Sequence, residues 1–103
     1  MKVYLSAKIT GNINAKSDFE RAEMFCKLKG WQPVNPLKVC ESIKKAFSYS
    51  ELMSLDYELI KMCDAIFMVS GWQKSKGAVS ELAFARSLGK KVLYEDYFNR
   101  RKK

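Results

Sequence analysis

Apolar and polar positions along this chain alternate between two periods. Val3 to Ser6 is a short apolar run that reads as a strand, and Ala7 to Asn14, with Gly11 and two asparagines, reads as the loop that leaves it. Phe19, Ala22, Phe25 and Cys26 then repeat at helical spacing, which predicts a helix over 17–28. Ser17 and Glu20 have capping-box spacing, and Gly30 stands where the helix must stop. Trp31 to Val34 reads as a second strand, ended by Asn35-Pro36. Residues 37–47 hold no clear period and read as an irregular loop with one helical turn. A helix over 49–62 follows. The run DAIFMV over 64–69 is apolar after its first residue, as in a strand covered on both faces. A helix over 76–88, stopped by Gly89, leads to a fourth strand over 91–94. Strand–helix alternation with right-handed crossovers gives an α/β three-layer sandwich: a four- to five-stranded, mainly parallel sheet with helices on both faces. Such sheets bind ligands at the C-terminal ends of their strands. Three loops lie there: Ser6 to Asn14, the segment from Asn35 onward, and Ser70 to Ser75.

Composition narrows the picture. A length of 103 residues suits one domain with one modest core, here 1–97, followed by a basic tail over 98–103. The formal charge of +8 favours anionic partners, although Arg100, Arg101, Lys102 and Lys103 supply part of it. A solvated basic surface is the plain reading of the rest. Nucleic acid is not expected as a partner, because no DNA- or RNA-binding motif accompanies the tail. No apolar run is long enough to span a bilayer, and the N-terminus reads as a strand rather than a signal peptide. Three cysteines, Cys26, Cys40 and Cys63, lack metal-ligand spacing, and the chain has no histidine. We therefore expect reduced thiols, a cytoplasmic location, and neither metal nor organic cofactor.

Two acids break the pattern. Ala78, Leu82, Ala85 and Leu88 mark the apolar face of the last helix, and Glu81 lies on that face. Leu52, Met53, Leu59, Ile60 and Cys63 mark the face of the helix before it, with Asp56 in its middle. Glu51 and Glu58 point elsewhere and read as surface charges. Asp64 opens a strand, at the end remote from the ligand edge, and reads as structural. A carboxylate on an apolar face is costly unless it is paired, and its pKa rises, which suits acid–base work. A structural ion pair is the alternative for Glu81. Tyr4 could hydrogen-bond such a carboxylate, or be an ordinary strand aromatic. At the ligand edge, Ser6, Lys8, Thr10 and Gly11 lie in the first loop, with Trp72, Lys74, Ser75, Lys76 and Gly77 in the third. Ser75, Gly77 and a helix N-terminus could cradle an anion, and Ser75 could equally be the helix cap. Neither GxxxxGK[ST] nor GxGxxG is present. Two acids, a tyrosine and an anion cradle suit cleavage of a glycosidic bond. One carboxylate attacks or stabilises the anomeric carbon, and the other manages the leaving group.

The blocks VYLSAKITG, DYELIKMCDAIFMV and SKGAVSELAFARSLGKKVLY resemble the nucleoside 2-deoxyribosyltransferase superfamily. Within it the chain is most similar to a compact phage and bacterial branch of unassigned function, related to the 2′-deoxynucleoside 5′-monophosphate N-glycosidases. The resemblance covers most of residues 2–94. It implies a flavodoxin-like sheet, a homodimer or higher homo-oligomer with shared active sites, and a nucleotide or nucleoside as ligand. Glu81 then corresponds to the catalytic nucleophile, Asp56 to the base-contacting aspartate, and Tyr4 to the tyrosine beside the glutamate. Ser75, six residues before Glu81, corresponds to a phosphate-holding serine, where transferases acting on free nucleosides carry aspartate. Lys8, Thr10 and Lys76 would help neutralise that phosphate. The first loop departs from relatives at Ala7 and Lys8. Tyr94, Glu95 and Asn99 are candidates for what one subunit lends another. The implied activity is N-glycosidase or deoxyribosyltransferase, and the alternative is a non-catalytic nucleotide-binding protein of the same fold.

Overall fold

The computed structural model describes residues 1–101. Its elements are β1 (Lys2–Ser6), α1 (Ala15–Leu28), β2 (Gln32–Val34), α2 (Pro36–Val39), α3 (Tyr49–Lys61), β3 (Ala65–Met68), a 3-10 turn (Trp72–Lys74), α4 (Lys76–Ser87), β4 (Lys91–Tyr94) and α5 (Glu95–Arg101). All four strands are parallel, in the order β2-β1-β3-β4. The chain is thus an α/β sandwich of the flavodoxin-like kind, with four strands. Asp64 lies just ahead of β3 and accepts the Lys2 backbone N–H at 2.8 Å, which pins the entry ends of β1 and β3 together.

Strand alternation divides the core in two. Val3 and Leu5 of β1, with Phe67 of β3, face Phe19, Ala22 and Cys26 of α1. Tyr4 of β1 and Ile66 and Met68 of β3 face Ile60 of α3 and Ala78, Leu82 and Ala85 of α4. Tyr57 of α3 stacks on Phe84 of α4 with ring centroids 4.4 Å apart, which sets how these two helices meet.

Three local features differ from the sequence expectation. Helix α1 begins at Ala15, and the Ser17–Glu20 capping box does not form. The Ser17 hydroxyl instead donates to the Asn14 carbonyl at 3.0 Å. Asn12 organises the entry in its place: its side-chain oxygen accepts from the Asn14 N–H at 3.0 Å, and its amide donates to the Lys8 carbonyl at 2.8 Å. The capping box that does form opens α3, where Ser48 and Glu51 bond each other's backbone N–H groups, so Glu51 is a cap as well as a surface charge. Helix α5 runs through Arg101, where the sequence pattern predicts a basic tail from residue 98. Its first residue, Glu95, is buried and takes two bonds from Arg21, at 2.8 and 3.0 Å, and one from the Ser70 N–H at 2.9 Å. Of the expected basic tail, residues 102 and 103 lie outside the described residues.

Candidate active site

Tyr4 and Ser6 are two residues apart on β1, so both point toward the α3–α4 layer. Each grips one oxygen of Glu81: the Tyr4 hydroxyl donates to Oε2 at 2.8 Å and the Ser6 hydroxyl to Oε1 at 2.7 Å. All three side chains are buried. Glu81 is there because α4 starts at Ser75, whose Oγ accepts the Ala78 N–H at 3.1 Å. From that start Ala78, Glu81, Leu82 and Ala85 fall on the face turned to the sheet. Asp56 reaches the same place from the buried face of α3. On its other side the Cys40 thiol lies 3.8 Å from Asp56 Oδ1.

These surroundings hold protons. Burial pushes the Glu81 carboxyl from 4.5 up to about 8; the hydroxyls of Ser6 and Tyr4 pull it down, and the neighbouring Asp56 charge pushes it up. Asp56 is also raised, chiefly by burial, while its hydrogen-bonding neighbours Glu81, Tyr4 and Cys40 pull the other way. Burial, followed by the charges of Glu81 and Asp56, lifts the Tyr4 phenol well above its ordinary value. Tyr4 is therefore a permanent donor near neutrality, and the two carboxyls are a coupled pair that favours one shared proton.

A cavity of about 180 Å³ holds the pair, walled largely by apolar side chains such as Ile9, Leu37, Leu52 and Met53. A wider depression of about 720 Å³ adjoins it, lined by Lys8, Lys74, Lys76, Thr10, Ser75 and Ser80. Among the described residues that line the depression there is no acid. Glu81, Asp56, Thr10, Ser75 and Gly77 line the cavity, and Lys8, Thr10, Ser75, Lys76 and Gly77 the depression. Other expected residues stand apart. Ser6 is buried behind Glu81, so what it touches is the carboxylate. Gly11 occupies a turn with φ of 72°. Trp72 packs against Tyr94 with centroids 5.9 Å apart, in a different hollow. Tyr94 accepts from Arg86 at 2.7 Å, and Glu95 is engaged with Arg21, within the one chain. Sequence reasoning missed Cys40, Lys44 and Tyr49 in the cavity wall, because they sit in or beside the aperiodic 37–47 segment.

Comparison with known proteins agrees with this architecture. The profile of the family described as "Domain of unknown function (DUF4406)" matches residues 1–94. No curated protein matches. Among solved structures, a 2-desoxiribosyltransferase from Leishmania mexicana superposes with a TM-score of 0.67 at 20% identity, covering 90% of this chain and 62% of that one. The CMP N-glycosidase BcmB of Clostridium botulinum superposes with a TM-score of 0.59 at 25% identity, covering 91% of this chain and 70% of that one. The chain thus spans somewhat under two thirds of the transferase.

Proposed function

We propose that this chain, which belongs to the DUF4406 family, cleaves the N-glycosidic bond of a nucleoside or deoxynucleoside 5′-monophosphate. The observation that carries the reading is Glu81, gripped by two buried hydroxyls and sharing an apolar cavity with Asp56 beside a lysine-lined depression. The fold neighbours, one a deoxyribosyltransferase and one a CMP N-glycosidase, lean the same way.

In this mechanism the base occupies the cavity and the phosphate the depression, where Lys8, Lys76 and the Ser75 hydroxyl proton meet its charge. The Ser75 oxygen caps α4 as an acceptor, which leaves its proton free to donate. Thr10 lines both spaces. Tyr4 and Ser6 orient Glu81, whose ionised form attacks C1′ or stabilises the cation there. As the C1′–N bond breaks, its electron pair leaves with the base, and Asp56 delivers the shared proton to the base nitrogen. Water then attacks C1′ and releases the sugar phosphate. Its proton returns to the carboxyl pair, and Glu81 is free again. A second base in place of water would make the same step a transfer.

The test is chromatography of a panel of nucleoside and deoxynucleoside 5′-monophosphates, matching nucleosides and NAD after incubation with the protein. Release of free base from the monophosphates, and less from the nucleosides, is expected. Nucleotide that binds but stays intact, with or without an acceptor base, would instead identify a sequestering protein.

A further inference from the structure

Five residues, Thr10, Tyr49, Met53, Ser75 and Gly77, line both the cavity and the depression. A ligand with its base in one and its phosphate in the other must pass its sugar between them. Three of the five carry a hydroxyl. The Ser75 oxygen is engaged in capping α4. Thr10 belongs to the exposed β1–α1 loop. Tyr49 differs from both. It is the first residue of α3, directly behind the Ser48–Glu51 capping box that fixes the helix start. It is 62% exposed, and its hydroxyl has no hydrogen-bond partner among the described residues. That hydroxyl reaches across to the first turn of α4: a methyl group at Gly77 would lie 3.0 Å from it. The missing side chain at Gly77 is what lets the phenol approach this turn.

We propose that Tyr49 is the sugar-reading, specificity-determining residue of the site: its ring divides the base cavity from the phosphate depression, and its hydroxyl hydrogen-bonds a hydroxyl of the ribosyl ring. This rests on the nucleotide reading above. A tyrosine offers a large, flat surface and a polar tip with little rotamer freedom to lose, which suits a partition between two subsites. A sugar that lacks the hydroxyl leaves the phenol without that partner, so the residue discriminates by what is absent.

The test is titration calorimetry of ribo-, 2′-deoxy- and 2′,3′-dideoxynucleoside 5′-monophosphates against wild type, Glu81→Gln, and Glu81→Gln combined with Tyr49→Phe. The Gln background keeps the ligand intact. Before the Phe change, at least one hydroxylated sugar should bind more tightly than the dideoxy sugar. Tyr49→Phe should erase roughly three- to tenfold of that preference and leave dideoxy affinity unchanged, as expected for one hydrogen bond. An equal loss for all three sugars, or no loss, would overturn the role of Tyr49 while leaving the nucleotide reading intact. If wild type binds none of the three, the nucleotide reading fails and this inference fails with it. Tyr49 is exposed, so loss of folding is not expected, and a thermal melt of the double variant checks it.

Discussion

Replacing Glu81 by Gln should make the protein more stable at alkaline pH while abolishing its chemistry. The fold holds Glu81 with its pKa raised from 4.5 to about 8, mainly by burial. Between those values the folded chain keeps a proton that the unfolded chain releases, so stability falls as pH rises through the interval. Each pH unit there removes about 1.4 kcal/mol, and the whole interval approaches about 5 kcal/mol. Asp56 shares the proton, so we assign about half, 2–3 kcal/mol, to Glu81 itself. Glutamine keeps the shape and does not ionise. One hydroxyl of Tyr4 and Ser6 can donate to its oxygen, and the other can accept from its amide. For a domain of this size 1 kcal/mol moves the melting temperature by about 4–8 °C. Thermal melts of both proteins from pH 5 to 9 should therefore nearly coincide at pH 5. By pH 8.5 they should separate by at least about 10 °C, with Glu81→Gln the higher. Parallel curves, or a variant that is less stable throughout, would refute the claim that Glu81 is buried at a cost to folding.

Further predictions concern the groups around this carboxylate. Tyr4→Phe removes the donor 2.8 Å from Oε2, a bond that favours ionised Glu81. The shared proton should then rest more on Glu81 than on Asp56, and turnover at pH 7 should fall by about tenfold or more. Ser75→Ala loses the α4 cap, about 1 kcal/mol in a melt, and should raise KM for a nucleoside 5′-monophosphate more than for the matching nucleoside. Gly77→Ala would put a methyl group 3.0 Å from the Tyr49 hydroxyl and should weaken nucleotide binding a few-fold in a calorimetric titration; unchanged affinity would contradict a role for the phenol's close approach.

Much of this arrangement was legible in the residues. The two acids on apolar helix faces stood out because burial opposes charge, and the fold brings them to one cavity. Tyr4 read as a donor to a buried carboxylate or as an ordinary strand aromatic; period two on β1 turns both it and Ser6 to Glu81, although the place of Ser6 in the chain reads as ligand edge. What escaped was set by tertiary contact. Helix α5 is anchored by Glu95 against Arg21, 74 positions away in sequence, and no local period announces such a pair. Helix α1 starts early because Asn12 folds its loop back onto Lys8, overriding the capping-box spacing at Ser17. Cys40 reaches the cavity from an aperiodic stretch, where spacing carries no direction, and Tyr49 from the very start of α3.

The most direct measurement of the central claim is base release from the best nucleoside 5′-monophosphate by wild type and Glu81→Gln at equal, saturating nucleotide. The account predicts that wild type liberates free base and the variant at least about a thousandfold less, with nucleotide affinity kept within a few-fold. Equal release from both proteins would contradict it, and would assign Glu81 to the architecture of the core instead of the chemistry at C1′.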